Sequence, residues 1–414
     1  MEDNNSGNIR NRLTIKQVTL EHIDQFDELL RYVFQVTNED LALGGYDENE
    51  ELTKAKRPVL KEADVVGWFN KEDELVSQVA VYPCEVNIHG TIYKMGGMTG
   101  VGTYPEYSGH GLVSELIKMA LRGMKDRGQT ISYLFPYSIP FYRKKGWELM
   151  SDHMTYVIKD TQLPMNKDVP GHVERVEVDH EDVINIYDEF ARLNHGALIR
   201  HDLDWEEYWR WENEEERIAG VYYDAEDNPT GYVFYWIQED ILHIKETVYL
   251  NQEARKGLWN FISAHHSMID EVHGNVYKNE PISFLIEDGD IKQTIVPYYM
   301  ARIVDVEAFL KEYPFDTEDL EVVEPFHLSI TDPMAEWNNG IFGIEFDEEG
   351  NTIITKNLVG KRVEMDIQTL VTMLMGYRRP TYLWKIERIN GELDTIRDLE
   401  WIIPDEEPYF SDYF

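Results

Sequence analysis

At 414 residues the chain is too long for one ordinary hydrophobic core, so two or three domains are expected, with 43% hydrophobic and 12% aromatic residues to fill them. A single cysteine, Cys84, excludes an intramolecular disulfide and any multi-cysteine zinc site, and a formal net charge of -39 argues against nucleic acid and anionic membranes as partners. The first ten residues hold no apolar stretch of the kind a signal peptide needs, and no run approaches the roughly 20 apolar residues of a membrane span, so a cytoplasmic protein is expected.

Leu13 to Gln17 alternate as a first strand, and Thr19-Leu-Glu-His opens a helix with Ile23, Phe26, Leu29, Leu30 and Val33 on its apolar face. The acidic stretch from Gly44 to Lys61 reads as a loop. Strands follow over Val65 to Phe69, Leu75 to Ile88 and Tyr93 to Thr103, the last two joined by the turn Asn87-Ile-His-Gly90. Cys84 stands after Tyr82-Pro83 in this apolar run, which predicts a buried, inert thiol. A helix then presents Leu112, Val113, Leu116, Met119, Ala120 and Met124 on one face and stops at Gly128, and Thr130 to Phe135 is the next strand.

The segment joining that strand to that helix carries the clearest chemical signal. In Val101-Gly-Thr-Tyr-Pro-Glu-Tyr-Ser-Gly-His-Gly-Leu-Val113, Gly109 and Gly111 allow the backbone to approach a ligand closely, and the unpaired amides opening the helix suit a phosphate. The reading is a pyrophosphate cradle with Val101, Thr103, Ser108, Gly109, His110, Gly111, Leu112, Val113 and Ser114 as its candidate residues. Downstream, Pro140-Phe-Tyr-Arg-Lys-Lys-Gly-Trp147 places Tyr142 on a short helix, with Arg143, Lys144 and Lys145 expected on a solvated face.

After Tyr156-Val-Ile158, the polar stretch Lys159 to Gly171 contains Pro164 and Pro170 and marks a boundary. The next block repeats the first in outline: a helix from Glu181 to Leu193, strands at Ala219 to Asp224, Gly231 to Gln238 and Ile241 to Tyr249, and a helix from Asn251 through Ile269. Its turn lacks paired glycines, and nothing equivalent to Phe141-Tyr142 follows, which predicts a degenerate copy without cofactor. His195, His201, His265 and His266 read as ordinary histidines, and no metal is expected. From Met300-Ala-Arg-Ile-Val-Asp-Val-Glu-Ala-Phe-Leu310, read as a helix, the pattern changes. An acidic loop (Asp316 to Glu324), strands at Phe326 to Thr331, Gly340 to Phe346 and Thr352 to Lys356, and a helix at Asp366 to Met375 precede an aromatic, acidic tail from Trp401 to Phe414. The turns at Asn339-Gly340 and Glu348-Glu-Gly-Asn351 punctuate the strands. The expected division is 1–160, 161–299 and 300–414. These parts differ in charge, with 18 basic and 24 acidic residues up to 160, 11 and 29 from 161 to 300, and 10 and 25 beyond. The least acidic part is the one expected to hold an anionic ligand.

The cradle resembles the coenzyme-A-binding core of the GNAT superfamily of N-acetyltransferases. Val101, Thr103, Pro105 and Gly111 fall where its pattern places them, whereas Ser108 replaces an Arg or Gln and Val113 a small residue. The whole order, an acetyltransferase domain, a degenerate second copy and a third domain opening on Arg302-Ile-Val-Asp-Val306, resembles the Eis family. The resemblance implies an α/β fold of tandem mixed-sheet GNAT domains followed by a sterol-carrier-like α+β domain. It also implies acetyl-CoA as donor without metal, amine acceptors such as aminoglycosides or lysine side chains, and a homo-oligomer, a hexamer in that family.

The chemistry then assigns roles. An ammonium acceptor must lose a proton before it attacks a thioester, the oxyanion calls for a backbone N–H, assigned to Val101, and the leaving thiolate must be protonated. With a thiol pKa near 8.5 and a tyrosine near 10, Tyr142 is the expected proton donor. The resemblance gives the equivalent tyrosine that role and makes the terminal carboxylate the base, here that of Phe414. A non-catalytic binding protein, holding an apolar ligand or a protein partner in its third domain, is the alternative that Ser108 and Val113 leave open.

Overall fold

The computed structural model describes residues 9–43, 56–165, 167–209, 218–277, 280–317, 324–347 and 349–414. Residues 44–55 of the expected loop, 318–323 of the expected acidic loop and Glu348 of the expected turn lie outside them. The described end of the first of these stretches is a helix, Arg57–Glu62, because Pro58 can occupy its first turn and Val59 and Leu60 bury themselves.

Among the described residues, twenty strands form three sheets. The first half of the chain supplies β1 (Thr14–Gln17), β2 (Asp64–Phe69), β3 (Leu75–Ile88), β4 (Thr91–Thr103), β5 (Ile131–Leu134), β6 (Glu148–Leu149) and β7 (Asp152–Lys159). There follow β8 (His172–Val176), β9 (Leu198–Ile199), β10 (Ile218–Tyr223), β11 (Pro229–Gln238), β12 (Ile241–Tyr249), β13 (Glu271–Val276), β14 (Lys292–Pro297) and β15 (Met300–Ile303). The last are β16 (Phe326–Thr331), β17 (Gly340–Phe346), β18 (Thr352–Thr355), β19 (Lys361–Asp366) and β20 (Asn390–Gly391). The first sheet runs β1-β2-β3-β4-β5-β15-β6 with β9 on β3, the second β14-β7-β13-β12-β11-β10-β8, and the third β18-β17-β16-β19-β20.

Two strands cross the divisions expected from the sequence. β7, counted with the first domain, pairs between β13 and β14 of the second sheet. β15, expected as the start of a helix, is instead a strand filling the first sheet between β5 and β6. The helix begins only at Val306, where Asp305 accepts a hydrogen bond from the Ala308 amide at 3.3 Å and caps it. All four residues of β15 are buried, and an apolar run that short fits a fully covered strand.

Helices α1 (Ile23–Phe34) and α2 (Leu112–Asp126) cover opposite faces of the first sheet. On α2 the buried residues are Leu112, Leu116, Ile117, Ala120, Leu121 and Met124, so the apolar stripe lies to one side of the expected one and leaves Met119 exposed. The short helix α3 (Ile139–Arg143) follows β5. In the second part, α4 (Glu181–Leu193), α5 (Asp202–Trp209) and α6 (Gln252–Ser263) pack on the second sheet, and α6 ends before the expected Ile269. The third sheet packs with α7 (Val306–Glu312) and α8 (Ile367–Leu374) into one apolar cluster shared with the back of the first sheet. No helix among the described residues is long and apolar enough to cross a membrane.

Candidate functional site

β4 and β5 are parallel neighbours that pair only at Met95–Ile131, Gly96–Ser132 and Gly97–Tyr133, after which β4 continues to Thr103 while β5 stops at Leu134. Just beyond, β4 carries a bulge: Ala80 of β3 faces Thr99, but Gln78 faces Gly102, and Gly100 between them has a φ of 58°. A bulge bends and twists its strand. The two strands therefore open into a cleft, with Val101 on the β4 wall that has no β5 partner.

One rim of the cleft is the turn from Ser108 to Ser114, which the sequence leads us to expect as a cradle. Gly109 and Gly111 have φ of 78° and 75°, a conformation that side-chain-bearing residues rarely adopt, and a Cβ at either would meet nothing within 4 Å. Gly111 is the N-cap of α2 and offers no side chain to its amides, so the helix opens onto free space. His110 Nδ1 is buried without a partner there. The Lys145 ammonium reaches back from the α3 turn to donate to Ser114 Oγ at 2.6 Å, and burial, with Lys118 and Lys144 nearby, holds its pKa below the usual value. Uncapped amides, an orphaned imidazole nitrogen and this cluster of lysines fit a diphosphate. Lys145 thus leaves the solvated face on which the sequence placed it, while Arg143 pairs with Glu148 at 2.8 Å.

Tyr142 is 6% exposed, within the apolar cluster that joins α2 to β4, β5 and β15. Burial pushes its phenol up to about 12, so it stays protonated and able to donate at neutral pH. The turn after it is fixed from behind. Arg302 of β15, fully buried, donates to the Lys145 carbonyl, pairs with Asp332 and lies over the Trp147 ring at 5.2 Å. The Arg302-Ile-Val-Asp-Val306 stretch therefore supports Tyr142 physically, a role the sequence did not disclose.

The tail enters from the other face. Gly96 and Gly97 point to opposite sides of β4: a Cβ on Gly96 would strike Met124 of α2, and one on Gly97 would lie 2.9 Å from the Phe414 ring. The Phe414 amide donates to Tyr299 Oη at 3.0 Å, and the ring stands 5.5 Å from that of Tyr299 and 6.1 Å from that of Tyr82. Tyr409, Phe410 and Phe414 are buried, and Tyr413 packs edge-on against Phe135 at 5.2 Å. Cys84 is buried beside them, as expected, and donates to Asp204 Oδ1 at 3.6 Å; burial and that carboxylate push its thiol well up. Burial also raises Asp204, to about 6.

The second sheet repeats the geometry. β12 and β13 are parallel, pair from Ile241–Glu271 to Ile244–Gly274, and β12 bulges immediately after, at Lys245. The space beyond is a cavity of about 750 Å³ lined by aromatic residues including Tyr156, Tyr249, Trp259 and Tyr277. Its helix is closed at the start: Asn251 Oδ1 accepts from the Ala254 amide at 2.8 Å, and Glu253 stands in the first turn, accepting from Tyr222.

Residues 14–150 and 196–303 each match the acetyltransferase (GNAT) domain family, and residues 306–411 the sterol carrier protein domain. A conserved protein of unknown function from Enterococcus faecalis V583, described as a probable N-acyltransferase, is 30% identical, covers 97% of this chain and 99% of its own, and superposes with a TM-score of 0.88. The chain belongs to the GNAT acetyltransferase family. A GCN5-related N-acetyltransferase from Anabaena variabilis is 24% identical over 97% of this chain and all of its own, with a TM-score of 0.84. Eis1 from Mycobacterium abscessus is 16% identical with the same coverages and a TM-score of 0.79, so the tandem GNAT and sterol-carrier layout is Eis-like in fold. Comparison with curated proteins gives no match. This GNAT protein is an acetyltransferase, and acetyl-CoA is the co-substrate its fold implies. Among the described residues no group of His, Cys, Asp and Glu is arranged to hold a metal.

Proposed function

We propose that the protein transfers acetyl from acetyl-CoA to primary amines, polycationic ones such as aminoglycosides or lysine side chains foremost. One observation carries this reading: the cleft between β4 and β5 has an uncapped helix start behind two left-handed glycines at its rim, buried Tyr142 on one face and buried Phe414 at its base on the other. Acetyl-CoA supplies the activated thioester. Gly109, Gly111 and the opening amides of α2 bind its diphosphate, with His110, Ser114 and Lys145 beside them. Val101, in the bulge, provides an N–H where negative charge builds. The Phe414 carboxylate takes the amine proton, and Tyr142 gives a proton to the departing sulfur.

Acidic residues gather where β4 leaves the cleft behind. Tyr104, at the end of β4, has its phenol pushed up to about 12 by burial and by Glu28, Glu106 and Glu74 around it. A chain of net charge -39 attracts cations by a field that salt screens. Free-thiol release from acetyl-CoA, followed across a panel of amines and ionic strengths, tests this. KM for a polyamine should rise with salt, and deletion of Phe414, or a C-terminal extension that turns its carboxylate into an amide, should suppress turnover in a folded protein. Full activity of the extended protein would place the base elsewhere. A neutral amine used as well as a polyamine at every ionic strength would remove the cationic preference.

A further inference from the structure

The tail that seats Phe414 is held by a buried charge network remote from the cradle. Arg200, 8% exposed, directly follows β9, and β9 is anchored to β3 of the first sheet through Glu85–Ile199 and Val86–Leu198. Its guanidinium Nε donates to Asp412 Oδ1 at 2.7 Å, Nη2 to Ser411 Oγ at 3.0 Å, and Nη2 and Nη1 to the two oxygens of Glu246 at 3.0 and 3.3 Å. Rings of Tyr187, Tyr208 and Trp205 lie 3.7, 3.9 and 4.5 Å from its carbon. Glu246 comes from β12, immediately after the bulge at Lys245, and also accepts from Tyr232, Tyr409 and Ser411. The second Asp412 oxygen accepts from Tyr187 at 3.2 Å, and the Asp412 carbonyl accepts from Tyr298 at 2.9 Å.

Every polar group of the tail from Tyr409 to Asp412 that meets this network is thus tied to the first or second sheet. A buried ion network adds little net stability over an apolar core of the same shape, but a planar guanidinium fixes the angle and position of what it binds. Asp412 is two residues from Phe414, at most about 7 Å of chain. We propose that Arg200, with Glu246 orienting it, is a positioning residue for acetyl transfer: through Asp412 it fixes the tail so that Phe414 stays on Gly97 at the base of the β4/β5 cleft. The second GNAT domain then serves the first by supplying this clamp. The proposal rests on the reading of Phe414 as the base.

The full-length chain is compared with Asp412→Asn, which keeps the shape but removes the charge, and with Arg200→Met. For each, kcat and KM for acetyl-CoA are measured by thiol release, the folded fraction by thermal melting, and tail order by the rate at which a carboxypeptidase removes Phe414 below the melting temperature. A clamp predicts that kcat falls about 10- to 100-fold, the cost of a displaced reacting group, with KM for acetyl-CoA unchanged and Phe414 released faster. If Arg200→Met fails to fold, Asp412→Asn decides alone. A purely structural network would lower the melting temperature and leave kcat per folded molecule within twofold of the parent, and that result overturns the proposal. Deletion of Phe414 is run alongside. An inactive deletion with a fully active Asp412→Asn sinks the clamp and keeps the base, whereas an active deletion sinks the base.

Discussion

The two GNAT cleft regions share a backbone and differ in what is placed on it. In both, a parallel pair stops pairing just before a bulge, at Gly97 in β4 and at Ile244 in β12, and a helix follows. In the first copy that helix begins with an uncapped glycine at φ 75° and a neighbouring lysine. In the second it begins with Asn251, whose own side chain occupies an amide; a glutamate stands in the first turn of both helices, Glu115 in one and Glu253 in the other. The bulge of the first copy exposes backbone toward the cleft, whereas the bulge of the second is followed by Glu246, turned into a buried network. Fold alone does not make a cofactor site, and on the proposed reading a few residues at the helix start decide which cleft accepts a diphosphate.

The sharpest break in that comparison is Gly111→Glu. The substitution forces a side chain into a left-handed conformation and sets a carboxylate in the proposed diphosphate site, so acetyl-CoA binding by calorimetry should vanish from an expected one site per chain in the parent. Residual binding of normal affinity, or two equal sites in the parent, would mean that the second cleft binds the co-substrate too.

Tyr142→Phe comes next. Removal of a general acid costs typically about 10²- to 10⁴-fold, so kcat should fall in that range while acetyl-CoA affinity stays close to the parent value. Parent-like turnover would reduce Tyr142 to a packing residue of the α2 cluster.

Local signals explain how much of this was legible in the sequence. The glycines at 109 and 111 and the Pro140 to Trp147 run act through neighbours a few residues away, so their pattern carries the left-handed turn before α2 and the Tyr142 helix. β3, β12, β17 and α4 have the bounds read from periodicity. What escaped depends on partners far along the chain. β7 and β15 read as belonging to the sequence around them, yet they pair in the sheets on the far side of the second domain. Arg200, Glu246 and Asp412 are separated by 46 and 166 residues in the chain, and Arg302 lies 157 residues from Lys145. No periodicity announces such pairs. The stripe of α2 was misplaced because β2, β3 and β4, which cover it, choose Ile117 and Leu121 over Met119 and Val113.

The contribution of the second region to the first can be read through pH. Asp204, on α5, faces Cys84 in the first sheet, and burial raises its pKa from an ordinary 3.8 to about 6. A carboxyl raised on folding contributes stability that is present below about pH 3.8 and lost as pH rises through about 6. The loss amounts to about 3 kcal/mol, from a shift of roughly two units at 1.36 kcal/mol each. Asp204→Asn does not titrate, so its stability relative to the parent, followed by denaturant unfolding, should climb by about that amount between pH 4 and pH 7. A flat difference across that window would show that Asp204 is solvated and that the two regions are less tightly joined there.

The smallest effect tests the closed helix start of the second copy. The Asn251 side chain satisfies the Ala254 amide at the helix start, and loss of an N-cap costs about 0.5–2 kcal/mol. Asn251→Ala should lower the melting temperature by a few degrees at most and leave both kcat and the single acetyl-CoA site untouched. The reason is that freeing one amide does not build a cradle: no left-handed glycine precedes the helix to let the chain approach a phosphate there. Should the variant instead gain a second acetyl-CoA site in calorimetry, the cap alone would be what closes that cleft, and the difference between the two copies would reduce to one side chain.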